Sequence, residues 1–211
     1  MPSKTIIYLV RHGQTEWNVE QRMQGHRDSP LTKLGVSQAE WLEEALRQEP
    51  IDVAYSSSSM RARRTAEIIK GKRELPITDC DDFKEIRLGA WEGKSQSELK
   101  ANDSEQLHYF WNDPAQFYVP GSERFEDVQH RAIRKLNEIV HTNEGRSILI
   151  VTHTVVVKLI MAHFEKIPLK EMWNSPYIHP ASLCKVVIES SNAEVMLHGD
   201  IKHYKEEPSA G

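Results

Sequence analysis

Only two cysteines, Cys80 and Cys184, occur in the 211 residues, far apart and outside any paired metal-ligand spacing. Neither a disulfide framework nor a zinc knuckle is expected, and a reducing, cytoplasmic setting fits. No sign of charge dominates: 27 Lys and Arg stand against 31 Asp and Glu, a net charge of −4. That balance argues against a nucleic-acid-binding surface and makes any basic site a local one. Long apolar runs are missing as well. The stretch from Ile6 to Val10 is halted by Arg11 and His12, too short for a signal-peptide core or a membrane span, so no membrane partner is expected. The ten histidines are scattered without a His-x-x-x-His pair, which weakens a metal-dependent reading.

What is present is enough apolar material, 39% of the chain, to bury the core of one domain spanning 1–211. Residues 5–10 and 147–151 are β-branched, apolar and without polar alternation, the pattern of strands covered on both faces. Residues 52–56 form a shorter strand candidate, and 182–188 with 195–197 suggest a late pair. Helical spacing fills the intervals at 32–48, 59–69, 125–140 and 155–164. Strands alternating with helices predict an α/β sandwich around a mostly parallel sheet. Segment 94–122 breaks the rhythm. It holds five of the sixteen aromatics (Tyr109, Phe110, Trp111, Phe117 and Tyr118) and reads as an inserted cap. Residues 202–211 are polar and read as a frayed tail.

Both buried-type strands end alike, in Val10-Arg11-His12-Gly13 and in Val151-Thr152-His153-Thr154. Ligands of open α/β sheets bind at the carboxyl edge of the strands, so two histidines are expected to face one crevice. A single histidine there is more often just a polar residue marking where a strand surfaces; the pair shifts the balance. The third strand leads into Ser56-Ser57-Ser58-Ser59, serines able to cap a helix whose first turn carries Arg61, Arg63 and Arg64. Cations there oppose the helix dipole. For Arg63 and Arg64 a solvated basic face explains them; for Arg61 the favoured reading is an anion held between the helix N-terminus and a guanidinium.

At this point Arg11-His12-Gly13-Gln14-Thr15-Glu16-Trp17-Asn18, Gln24-Gly25, Ser29-Pro30-Leu31-Thr32, Arg61 in Arg-Ala-Arg-Arg-Thr-Ala-Glu, Glu85 in Lys-Glu-Ile-Arg-Leu-Gly-Ala-Trp-Glu-Gly, and Val151-Thr152-His153 fall in one order. That series resembles the histidine phosphatase superfamily, or phosphoglycerate mutase-like family, along essentially the whole chain. Its flavour is that of the bacterial broad-specificity phosphatases. The resemblance implies a three-layer α/β/α sandwich with a small cap inserted at about 94–122. It implies catalytic roles for His12 as nucleophile, Glu85 as acid, and Arg11, Arg61 and His153 around the transferred phosphoryl group. Asn18, Gln24 and Gly25 would contact substrate oxygens. Thr154 stands where the family usually has glycine, adding a side chain beside the site. Ala90 replaces a common acidic residue, and Gln14 stands where glutamate is also common.

The activity implied is metal- and cofactor-independent hydrolysis of phosphomonoesters through a phosphohistidine. A mutase should line its cap with extra cations, whereas segment 94–119 carries two lysines against Glu98, Asp103, Glu105 and Asp113. With five aromatics in the cap, a small-molecule phosphomonoester with an apolar or aromatic body is favoured, although the rings would serve equally to pack the cap. The alternatives are a phosphoglycerate mutase-type isomerase and a non-catalytic phosphate-binding relative. No nucleic acid or membrane partner is expected, and a homodimer is left open.

Overall fold

The computed structural model describes residues 4–190 and 192–206. β1 (Lys4–Arg11) leads through a short helix α1 (Glu16–Val19) to α2 (Lys33–Leu46), β2 (Val53–Ser57), α3 (Met60–Lys70) and β3 (Ile77–Cys80). Then follow α4 (Gln96–Asn102), α5 (Ser104–Asn112), α6 (Phe125–Thr142), β4 (Ser147–Thr152), α7 (Thr154–Glu165), β5 (Leu183–Glu189) and β6 (Asn192–Asp200). The strands form one mixed sheet in the order β3-β2-β4-β1-β5-β6. β1, β4, β2 and β3 pair in parallel, while β5 runs antiparallel to β1 and β6 antiparallel to β5.

Why β1 and β4 take the centre is visible in their sequences. Ile7, Tyr8, Leu9 and Val10 are fully buried, and successive side chains point to opposite faces. Ile7 and Leu9 join the cluster that holds Val128, Leu136 and Ile160 of α6 and α7; Tyr8 and Val10 join Ala39, Leu42, Ala62 and Ala66 of α2 and α3. The alternation of one strand thus defines two helical layers, and the fold is the expected α/β sandwich. Each aliphatic side chain so buried contributes on the order of 1.5–3 kcal/mol.

To the expected elements the structure adds β3, α4 and α5, and it corrects the reading of the tail. β3 was not anticipated, because Ile77-Thr78-Asp79-Cys80 lies at a sheet edge with its middle residues exposed and carries no apolar run. Segment 94–122 contains two helices. α4 starts with a Ser95/Glu98 capping box, and α5 buries Phe110 against Trp91, Phe117, Phe125 and Trp173 at ring separations of 5.0–6.0 Å among these neighbours. The tail does not fray through Glu206: the Tyr204 ring packs on Trp41 of α2 at 5.8 Å, its hydroxyl donates to the Pro180 carbonyl, and Lys205 pairs with Glu44 at 2.7 Å. Residues 207–211 of the expected tail lie outside the described residues. Among the described residues no helix is long and apolar enough to cross a membrane.

Candidate active site

Parallel register sets the first two members of the site. β1 pairs with β4 so that Arg11 lies opposite Thr152, and the His12 amide donates to the Thr152 carbonyl at 2.8 Å. His12 and His153 therefore leave adjacent strands at the same level, with ring centroids 5.2 Å apart at 62°. The Nδ1 of His12 lies 2.7 Å from the Gly13 carbonyl. A carbonyl only accepts, so Nδ1 carries the ring proton and Nε2 keeps its lone pair. Across from it, Nε2 of His153 lies 2.8 Å from the Ser57 hydroxyl, and its Nδ1 is buried without a partner among the described residues.

Two guanidinium groups flank these rings, and both are fixed by their ends. Arg11 donates from Nη1 to the Ile178 carbonyl at 2.7 Å. Arg61 donates from Nη1 to the Arg27 carbonyl and Asp28 carboxylate, each at 2.8 Å, and from Nη2 to the Gly25 carbonyl at 2.9 Å. In both arginines Nε is buried and has no partner among the described residues. Buried donors are nearly always paired, so two such orphans beside two histidines mark an anion site.

The serine cap expected for α3 is not what the helix uses. Ser59 occupies the N-cap position without a side-chain bond. Asp28 reaches in from the loop before α2 and accepts from the Met60 amide at 2.6 Å and the Arg61 amide at 3.4 Å. One carboxylate thus satisfies the helix terminus and offsets the cation placed there.

Burial, then Arg61 and Arg11, hold the His12 pKa well below the ordinary imidazole value; burial, Arg61 and His12 do the same to His153. Glu85 shifts the other way. Burial raises its pKa even though its carboxylate accepts from the Ile86 amide at 2.9 Å and the Val155 amide at 3.3 Å, and even though Arg61 and Arg11 oppose the shift. The site thus places two neutral bases beside an acid that resists ionisation. Among the described residues Glu85 makes no ion pair with nearby Arg87, whose amide donates to the Glu123 carboxylate at 2.8 Å.

Arg11, His12, Arg61 and Glu85 line a cavity of about 600 Å³, and Asn18, Gln24, Gly25 and Thr154 line it too. His153 is fully buried and is not one of the lining side chains. Asn18 Oδ1 is engaged by the Thr15 amide and hydroxyl, and Gln24 Nε2 by the Thr15 hydroxyl, which leaves Gln24 Oε1 buried without a partner among the described residues. Ala90 is exposed. Sequence reading did not single out Ser57, Asp28, Arg131 or Glu123, whose partners come from distant chain segments and leave no local signal. Of the five cap aromatics Phe110 and Trp111 line the same cavity, and Trp17, Trp41 and Trp173, to which sequence reading assigned no such role, line it too. Among the described residues no three His, Cys, Asp or Glu side chains cluster to hold a metal ion.

Comparison with known proteins follows this geometry. The family model of the histidine phosphatase superfamily (branch 1) matches residues 7–201. The chain is 31% identical over 168 residues to the adenosylcobalamin/alpha-ribazole phosphatase of Escherichia coli strain K12, covering 80% of this chain and 83% of that one. It is 37% identical over 157 residues to a probable 2-carboxy-D-arabinitol-1-phosphatase of Arabidopsis thaliana; the alignment covers 74% of this chain and only 32% of that longer protein. Bacillus stearothermophilus YhfR superposes with a TM-score of 0.91 at 42% identity, covering 94% of this chain and 98% of its own.

Proposed function

This chain belongs to the histidine phosphatase superfamily, and from that membership we propose that it is a metal-independent phosphomonoesterase working through a phosphohistidine at His12. One observation carries the reading. The Gly13 carbonyl accepts a hydrogen bond from Nδ1–H of a buried, neutral His12, leaving a nucleophilic Nε2 beside two guanidiniums whose Nε donors lack partners among the described residues.

In this mechanism Arg11 and Arg61 hold the phosphoryl oxygens, and the Nε2 lone pair of His12 attacks phosphorus in line with the leaving oxygen. Charge spreads over the equatorial oxygens of a loose transition state, where fixed guanidiniums stabilise it without rearranging. His153, with Ser57 donating to Nε2, offers Nδ1–H as a further donor. Glu85, kept protonated by burial, gives its proton to the departing alkoxide. Water then attacks the phosphohistidine while Glu85 takes a proton back, and inorganic phosphate leaves. Asn18, Gln24, Gly25 and Thr154 contact the rest of the substrate, with the free Gln24 Oε1 accepting from a hydroxyl.

The substrate body is apolar or aromatic in this reading, and segment 94–122 caps it. Four of the five tryptophans line the cavity, and Trp111 remains 39% exposed while packing at a tilt against Trp173 at 4.7 Å. A mutase needs spare cations for a bisphosphorylated intermediate. The further cations on this wall are committed: Lys158 to the Asn174 and Pro176 carbonyls, Arg22 to Glu20 and the Gly93 carbonyl. A reducing, cytoplasmic setting fits two buried cysteines left as thiols.

The test is phosphate release from nitrophenyl phosphate, alkyl and sugar phosphates and 3-phosphoglycerate with chelator present, alongside an assay for 2-phosphoglycerate. Hydrolysis in chelator and an acid-labile phosphoryl-enzyme, both lost in His12→Ala with unchanged circular dichroism, are expected. Near-normal turnover by that variant, or isomer formation without phosphate release, would overturn the proposal.

A further inference from the structure

A carboxyl that delivers a proton in the transition state must be held in place, and Glu85 sits on a stretch with no regular structure to hold it. Residues 84–88 run between two short 3-10 turns, Asp81–Phe83 and Gly89–Trp91. Their carbonyls and amides must find partners elsewhere, and they find them on α6 and on the strand of chain just before it.

Arg131 of α6 meets three carbonyls of this stretch and of the turn before it. Its Nη1 donates to the Asp82 and Lys84 carbonyls, both at 2.7 Å, and its Nη2 to the Glu85 carbonyl at 3.1 Å. Its remaining donors form a fork on Glu123, from Nε to Oε1 at 2.9 Å and from Nη2 to Oε2 at 3.0 Å. All five guanidinium protons are therefore engaged, in a geometry that the three protons of an ammonium point charge cannot reproduce. Glu123 passes the restraint on: Oε2 accepts from the Arg87 amide at 2.8 Å, and the Glu123 amide donates to the Arg87 carbonyl at 2.9 Å. Although burial works against it, Arg131 and the Arg87 amide hold the Glu123 carboxyl below the usual range, so the fork stays ionic. A second donor reaches the Glu85 carbonyl from the other side, where His26 Nε2 lies at 3.0 Å and 3.7 Å from Glu123.

We infer that Arg131, acting with Glu123, is the positioning residue for the Glu85 carboxyl: Arg131 holds the backbone up to Glu85, Glu123 holds it at Arg87, and the pair so aims a side chain that neither touches. The inference rests on the reading of Glu85 as the proton donor. Neither side chain of the pair borders the cavity, and both are 16% exposed, so their effect on the reaction runs through the loop alone. An ordinary surface ion pair contributes little to stability or function. Here the loss of Arg131 leaves the Asp82 and Lys84 carbonyls and Glu123 Oε1 without donors, and the Glu85 carbonyl with His26 alone, at the one loop whose placement sets proton delivery.

The experiment compares an alkyl phosphate, whose leaving group needs the proton, with nitrophenyl phosphate, whose leaving group does not. Arg131→Lys should lower kcat on the alkyl ester about tenfold to a hundredfold, with less than about a threefold loss on the nitrophenyl ester and little change in KM. Glu123→Gln, which keeps the shape of the fork and loses its charge, should move the same ratio in the same direction by less, and it serves if the arginine variant does not fold. In Arg131→Ala, added guanidinium ion should restore the alkyl rate. Adding Arg131→Lys to Glu85→Gln should cost little more than Glu85→Gln alone. Equal losses on both esters in the Arg131 and Glu123 variants, with Glu85→Gln still selective for the alkyl ester, overturn the positioning role and leave the acid assignment standing. Equal losses in Glu85→Gln itself overturn the acid assignment, and the positioning role with it.

Discussion

His12 and His153 meet edge to face, their ring centroids 5.2 Å apart, because β1 and β4 run side by side in parallel and end at the same level. Burial keeps both rings neutral, with Arg61 reinforcing it, so each has a folded pKa below the ordinary 6.5. Below that value the unfolded chain binds protons the folded one refuses, and stability that is fully present above pH 6.5 is lost as the pH falls. Glu85 acts in the opposite sense: its raised pKa contributes stability that is present below its ordinary 4.5 and lost as the pH rises through the folded value. With two histidines against one carboxyl, the melting temperature should fall between about pH 7.5 and 5.5, and His153→Asn should flatten the slope. A slope unchanged by that substitution would remove His153 from the titration.

Asp28 does two jobs for Arg61, capping the helix that carries it and pairing with its guanidinium. Asp28→Ala should cost about 1–3 kcal/mol in urea denaturation, reduced from a fully buried pair because Asp28 is partly exposed, and should raise KM for every phosphoester. Asp28→Asn keeps an acceptor for the Met60 amide and should recover part of the stability but not the KM. Equal behaviour of the two variants would mean that the retained acceptor contributes nothing, and wild-type behaviour of Asp28→Asn would mean that the charge contributes nothing.

The turn after His12 is packed backbone to backbone against α2. A Cβ on Gly35 would lie 2.0 Å from the Gln14 carbonyl oxygen, and one on Gly13 would lie 2.3 Å from the Gly35 carbonyl oxygen. Helix propensity alone would make Gly35→Ala favourable by about 1 kcal/mol. The clash should win, giving a net loss of about 3 kcal/mol or more and a drop in turnover as the His12 turn is displaced. A more stable Gly35→Ala in denaturant melts would contradict the close approach.

Trp111 packs at a tilt against Trp173 at the cavity wall with 39% of its surface exposed. Trp111→Ala should raise KM for naphthyl or nitrophenyl phosphate about tenfold, the worth of one aromatic contact, and leave small alkyl phosphates nearly unchanged. A uniform change across the panel would assign the ring to packing alone.

How far the sequence went depended on whether a residue's partners were local. The unbroken apolar runs of β1 and β4 declared central strands, and α2, α3, α6 and α7 lie within two residues of their expected limits. β3 escaped because an edge strand with exposed Thr78 and Asp79 buries too little to leave a pattern. The capping box of α4, Ser95 with Glu98, was a readable helix start inside what looked like an irregular cap. Within the site, Arg11, His12, Arg61, Glu85 and His153 stood out by motif. Asp28, Ser57, Glu123 and Arg131 did not, since each makes its contact with a segment the chain reaches only by folding. The serine run before α3 misled in the same way, because the acceptor that caps the helix comes from another loop.

The position of β1 also governs when this molecule can exist. Its neighbours are β4 and β5, and it does not touch β2. β1, which leads into His12, is made before the other strands and therefore waits, at synthesis rates of roughly 5–20 residues per second, on the order of ten seconds for Ser147 to follow. A nascent chain halted before β4 has no partner for its most apolar segment, and its two histidines have not met. Folding is paced by late, long-range strand pairing, and the two histidines meet only once β4 has joined β1.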